Sequence, residues 1–150
     1  MPKEYKHIMV AVDGSYESEL AFEKGVAVAL RNKAELVLAH VIDTRSLQSV
    51  ATFDSYIYEN LEKDARGVLD DFEKRARAQG LTKVKQVIEF GNPKSLLATD
   101  LPDEYGIDLI MLGATGLNSF ERFLMGSSSE YVMRHAKVDI LIVRDSEKTL

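Results

Sequence analysis

The sequence predicts a single α/β domain built on a doubly wound parallel sheet of five strands in the order 3-2-1-4-5. Three observations carry that prediction. Five short apolar runs alternate with segments of helical periodicity along the 150 residues. The runs are nearly continuous in Val, Ile, Leu and Ala rather than alternating apolar with polar, as expected of strands covered on both faces. The composition, 45% hydrophobic and 29% charged, is that of a chain with a packed core. Right-handed crossovers between successive strands then wind the sheet in both directions. No internal repeat or linker divides the chain, so residues 1–150 are read as one domain.

The first strand is expected over HIMVAVD, His7 to Asp13, which stops at Asp-Gly-Ser. Ser15 suits an N-cap, and Glu17 and Glu19 place negative charge in the first turn of the helix that follows. Phe22, Gly25, Val26, Ala29 and Leu30 form its apolar stripe. AELVLAHVI, Ala34 to Ile42, is the second strand.

Residues 43–60 mix polar residues with Phe53, Tyr56, Ile57 and Tyr58, and read as a loop leading into a helix. From Leu61 the period sharpens, with Ala65, Val68, Leu69, Phe72 and Ala76 on one face. Glu62/Arg66, Asp70/Lys74, Asp71/Arg75 and Glu73/Arg77 are opposite charges four apart on the wet side. Gly80 ends that helix.

Val84 to Phe90 is the third strand. Asn92 caps a short helix with Pro93 at its first position, and Pro102 kinks or breaks it. Ile107 to Leu112 is the fourth strand, Ser127 to Ala136 the last helix, and Val138 to Val143 the fifth strand.

Several function classes fall away early. The net charge of −5 argues against nucleic acid and anionic membrane as partners, since both call for a surplus of Lys and Arg. With no cysteine, disulfides, thiolate zinc sites and cysteine nucleophiles are excluded. The start, MPKEYKHIMV, shows no secretory h-region. No apolar run reaches the ~18 residues of a membrane span, so a cytoplasmic location is expected. His7, His40 and His135 show no metal-ligand spacing, and His40 reads as a packed strand residue.

In an open α/β sheet, ligands bind beyond the carboxyl ends of the strands where the winding reverses, here between strands 1 and 4. Strand 1 ends at Asp13-Gly14-Ser15. Strand 4 runs into GATGLNSFERFLMGSSS, residues 113–129. Gly113 and Gly116 lack a Cβ and let backbone approach a ligand. Gly126-Ser127-Ser128-Ser129 opens a helix whose unpaired N–H groups favour an anion, and Ser127 and Ser129 add hydroxyl donors. Asp13 can accept from a ribose hydroxyl or hold Mg²⁺ against phosphates. The competing reading is ordinary loop glycines and a serine-rich cap. Neither GxxxxGK[ST] nor GxGxxG is present.

The spacing Gly113-x2-Gly116-x9-Gly126-Ser127 resembles the nucleotide-binding signature of the universal stress protein family. VAVDGS at 10–15, LAHVID at 38–43, GNP at 91–93, DLIMLGATG at 108–116 and RHAKVDILIVR at 134–144 extend the resemblance over essentially the whole chain. It implies a Rossmann-like domain of the adenine nucleotide alpha hydrolase-like type that holds ATP, or ADP or AMP, with Mg²⁺. By match of position, Ala11, Val12 and Asp13 line the adenosine and metal side. Val41 meets the adenine through its backbone. Gly113 and Gly116 flank ribose and phosphates, with Ala114 and Thr115 between them, and Gly126, Ser127, Ser128 and Ser129 hold the phosphates. Two positions depart from the pattern. Ser128 stands where a small hydrophobic residue is usual, and Leu117-Asn118 where many members place Arg.

The resemblance also implies a homodimer through the last strand, Val138 to Val143. The same pairing is expected physically, since an apolar edge strand is a liability unless covered. No catalytic set can be assembled from the residues, so a nucleotide-dependent stress-response module with at most slow ATP hydrolysis is expected. Two alternatives stand beside it: the same fold with an empty site serving protein interaction, and a phospho-acceptor receiver domain. The receiver needs paired acids after strand 1, an aspartate ending strand 3 and a lysine ending strand 5. This chain has Asp13 alone, Glu89-Phe90-Gly91 and Arg144 at those places.

Overall fold

The computed structural model describes residues 4–44, 55–114 and 127–145. The strands are β1 (His7–Ala11), β2 (Glu35–Asp43), β3 (Val84–Gly91), β4 (Leu109–Gly113) and β5 (Asp139–Val143). They form one sheet in the order β3-β2-β1-β4-β5, and every neighbouring pair is parallel. The expected topology is thus observed, with strand ends differing by one or two residues.

Side chains alternate across the strands and build two cores. Ile8, Val10, Leu36, Leu38 and Met111 pack on one side with Phe22, Val26, Leu69 and Phe72. Those four come from α1 (Tyr16–Asn32) and α2 (Ser55–Ala78). Met9, Val37, Ala39, Ile110 and Leu112 face the other side with Leu97, Leu101 and Val132. The two layers explain why the strand sequences are apolar without alternation.

Ser15 caps α1 as expected, its side chain accepting from the Ser18 N–H. α1 and α2 are joined at Arg75, whose guanidinium lies 5.2 Å from the Phe22 ring and 5.0 Å from Phe72. The same group donates to Glu19 and Glu23 on α1. α2 begins at Ser55, six residues before the sharp periodicity at Leu61, and ends before Gly80, which takes φ +103°. Of its expected ion pairs, Asp71–Arg75 and Glu73–Arg77 form. Arg66 instead donates to Gln86 on β3, and Gln86 donates to Asp70.

Pro102 does not end the helical segment after β3. Asn92 caps α3 (Pro93–Ser95), a π-helical turn follows over Leu96–Asp100, and α4 (Leu101–Tyr105) carries Pro102 in its first turn. The π turn absorbs the proline, whose missing N–H leaves the regular i→i−4 ladder short of a donor. α5 (Ser127–His135) leads to β5. No helix among the described residues is long and apolar enough to cross a membrane.

Candidate functional site

A cleft of about 240 Å³ opens beyond the carboxyl ends of β1, β2 and β4, at the point where the winding reverses. Its apolar floor has a local cause. Met9 and Val37 are register partners and fill their row of the sheet, whereas the next row on the same face is Ala11 and Ala39. Two adjacent alanines leave a hollow that larger side chains would close. Val41 and Leu112 border it, and Pro93 and Leu97 form its helical wall.

The polar rim comes from the start of α1 and of α5. Asp13, Ser15, Glu17 and Ser18 approach from one side, Ser128 and Ser129 from the other. Asp13 Oδ1 accepts from the Ser15 N–H at 2.9 Å, and the Asp13 N–H donates to Ser18 Oγ at 3.3 Å. Burial works to raise the Asp13 carboxyl. Hydrogen bonds from the Ser15 hydroxyl and N–H and from Ser18, with the charge of nearby His40, outweigh it and hold the group below its ordinary value. Asp13 is therefore an anion at neutral pH. Among the described residues lining the cleft there is no Lys, Arg or His.

Ser129 is 3% exposed, and its hydroxyl has no hydrogen-bond partner among the described residues. A buried hydroxyl in the first turn of a nine-residue helix, with no partner among the described residues, stands where helix N–H groups favour an anion.

The Val12 N–H donates to the Ala39 carbonyl at 2.9 Å, and the Val12 carbonyl accepts from His40 Nδ1 at 2.7 Å. Val12, 2% exposed, thus supplies wall rather than a hydrogen bond, and His40 is held by backbone as expected for a packed strand residue. The Ala39 carbonyl points toward β1. Alternation along β2 turns the N–H and C=O of Val41 the same way, past Ala11 where β1 has ended. The Val12 carbonyl that would continue the ladder is already taken by His40. Among the described residues, the backbone groups of Val41 on that side therefore have no ladder partner at the cleft.

Gly113 has a packing reason beside the one its sequence position suggests. A Cβ there would lie 2.6 Å from the carbonyl carbon of Glu17 and inside contact of its oxygen. The glycine admits the first turn of α1 against the end of β4, quite apart from any ligand.

Seven expected residues thus meet at the cleft: Ala11, Val12, Asp13, Val41, Gly113, Ser128 and Ser129. Ala114 instead extends the sheet, its N–H donating to the Val143 carbonyl at 2.9 Å. Ser127 opens α5. Thr115, Gly116 and Gly126 lie outside the described residues. Sequence reasoning did not single out Ala39, Pro93, Leu97 and Leu112, nor Glu17 and Ser18. The small residue at 39 between larger ones, and a Pro–Leu pair four apart after a strand, were the available signals.

A family model described as the universal stress protein family matches residues 4–144. A protein of Staphylococcus haemolyticus (strain JCSC1435), assigned by name to the universal stress proteins, is 43% identical over 143 residues. That alignment covers 95% of this chain and 87% of the relative. The structure of the universal stress protein UspA from Lactobacillus plantarum superposes with a TM-score of 0.80 at 32% identity, covering 95% of this chain and 100% of that one. A universal stress protein solved in complex with cAMP superposes with a TM-score of 0.68 at 29% identity, over 94% and 98% of the two chains.

Proposed function

This chain belongs to the universal stress protein family, and from that premise we propose that it binds an adenine nucleotide, ATP with Mg²⁺ above all, as a homodimeric stress-response module. The observation that carries the reading is the division of the cleft. One half is an apolar hollow over Ala11 and Ala39, suited to a flat base. The other half offers the start of α5 with the buried Ser129 hydroxyl, which has no partner among the described residues, suited to phosphate. The backbone groups of Val41 stand where the edge of a base could be read. The glycines Gly116 and Gly126, with Thr115 and Ser127, complete the phosphate side in this reading.

Asp13 fits the metal. Mg²⁺ is commonly held by one or two carboxylates together with substrate phosphates, and Asp13 is an ionised carboxylate at the rim. Among the described residues no group of three or more His, Cys, Asp or Glu could hold a metal alone. The ion would therefore arrive with the nucleotide and neutralise its charge beside Asp13 and Glu17.

Phosphoryl transfer normally draws on a Lys or Arg clamp and a positioned nucleophile. Arg122, the one cation of the glycine stretch, lies outside the described residues, and we read the site as a binding module with at most slow hydrolysis. Homodimerisation rests on β5, whose Ile140 to Val143 are all half-buried and which is an edge strand of the sheet among the described residues. The opposite edge, β3, carries Lys85 and Glu89, charges that discourage pairing.

A nucleotide with fewer phosphates is the second reading, favoured by the relative solved with cAMP. Mass spectrometry of ligand released by heating the purified protein tests both. ATP in the wild type and none in Gly116→Val is the expected result. AMP, ADP or cAMP would select the second reading. Retention undiminished in Gly116→Val would remove the glycine side from the site.

A further inference from the structure

We propose that Leu97 selects the base: it sets the clearance above the Ala11–Ala39 floor, so that the cleft takes an unsubstituted planar purine and rejects one carrying a bulky ring substituent. The inference rests on the nucleotide reading above.

The helical wall meets the hollow through Pro93 and Leu97, and of the two Leu97 is the longer and more flexible side chain. Leu97 is 7% exposed, while its neighbours Ala98 and Leu101 are each 1% exposed and fully committed to the core. Across from it the strands present methyl groups at Ala11 and Ala39, so the space between wall and floor is governed from the Leu97 side.

The backbone under Leu97 is unusual. The Leu101 N–H reaches back five residues to the Leu96 carbonyl, and the Thr99 hydroxyl donates to the Ser95 carbonyl at 3.1 Å. These bonds hold a widened turn directly at the cleft, where π-helical turns often carry function. Leu97 is thereby placed by backbone bonds and not only by its own packing.

The experiment measures binding of ATP and of ATP analogues bearing a benzyl group at N6, C2 or C8, for the wild type and Leu97→Ala. Removing the leucine should move the preference toward at least one bulky analogue by about tenfold or more, the scale at which one hydrocarbon group discriminates in an apolar pocket. Leu97→Met, which conserves volume, should leave the preference unchanged. Should Leu97→Ala fail to fold, Leu97→Val carries the same test with a smaller shift in the same direction. An unchanged preference in a folded variant that binds ATP overturns the role of Leu97. No binding of any of these nucleotides by the wild type overturns the nucleotide reading itself, and this inference with it.

Discussion

Ala11 and Ala39 are register partners on adjacent parallel strands, and both face the helical layer of α3 to α5. One row below, Met9 and Val37 fill the equivalent space. The change from a large pair to a small pair opens the cleft at the end of the sheet without interrupting a single strand.

Refilling that row should close the cleft. Ala11 is only partly buried, so Ala11→Leu can extend into the hollow at a folding cost of about 1–2 kcal/mol or less. Nucleotide affinity should fall by roughly tenfold or more, equivalent to about 1.4 kcal/mol. Isothermal titration beside a thermal melt separates the two effects. Unaltered affinity in the folded variant would place the base elsewhere.

Gly113 and Gly116 should respond differently. Gly113→Ala sets a Cβ against the backbone of Glu17, which only a shift of α1 can relieve. The loss should be on the order of 2 kcal/mol, lowering Tm by roughly 4–8 °C. Gly116→Val should lose nucleotide with little change in Tm. A Gly113→Ala protein as stable as the wild type would show that α1 does not sit on β4 as described.

The depressed carboxyl of Asp13 has a pH signature. Its folded value lies below its unfolded one, so it contributes stability above the unfolded range. That contribution disappears as pH falls through the ordinary carboxylate range to the folded value. Denaturant unfolding at a series of pH values should show wild type losing more stability on acidification than Asp13→Asn. Parallel curves would mean that Ser15 and Ser18 do not hold the anion. Asp13→Asn should also weaken the dependence of ATP binding on Mg²⁺.

The β5 edge can be tested without breaking the sheet. The Val143 carbonyl is bonded toward β4 by Ala114, so alternation turns the backbone groups of Ile140 and Ile142 outward. Ile142→Pro therefore removes a donor on the free side only, as proline is tolerated on edge strands. Two hydrogen bonds across a two-fold axis would be lost, at about 1 kcal/mol each, besides the steric block. Sedimentation should show a dimeric wild type and a monomeric, folded variant. A wild type that is monomeric, or a variant that still pairs, would exclude β5 as the contact.

Much of this was legible in the residues. Continuous apolar runs identified the five strands, and Ser15 and Asn92 announced their helices by side-chain chemistry that the structure reproduces. The start of α2 was not legible, because Tyr56, Ile57 and Tyr58 are indifferent helix formers that give no period on their own. The π turn was equally hidden, since Pro102 signals a break and only the neighbouring hydrogen bonds show how it is absorbed. At the site, single residues such as Asp13 and Ser129 stood out, but the hollow is a property of a pair. Ala11 and Ala39 lie 28 positions apart, and only strand register brings them together. Gly113 was recognised as special for a ligand, whereas its immediate neighbour is the backbone of Glu17.

The most direct measurement is a calorimetric titration of nucleotide-free protein with ATP in the presence of Mg²⁺, run in parallel on Ala11→Leu. Saturable binding at one site per chain, weakened in the variant, is the outcome expected of a base seated on the alanine floor. A flat titration of the wild type, or an equal affinity in both proteins, would contradict it.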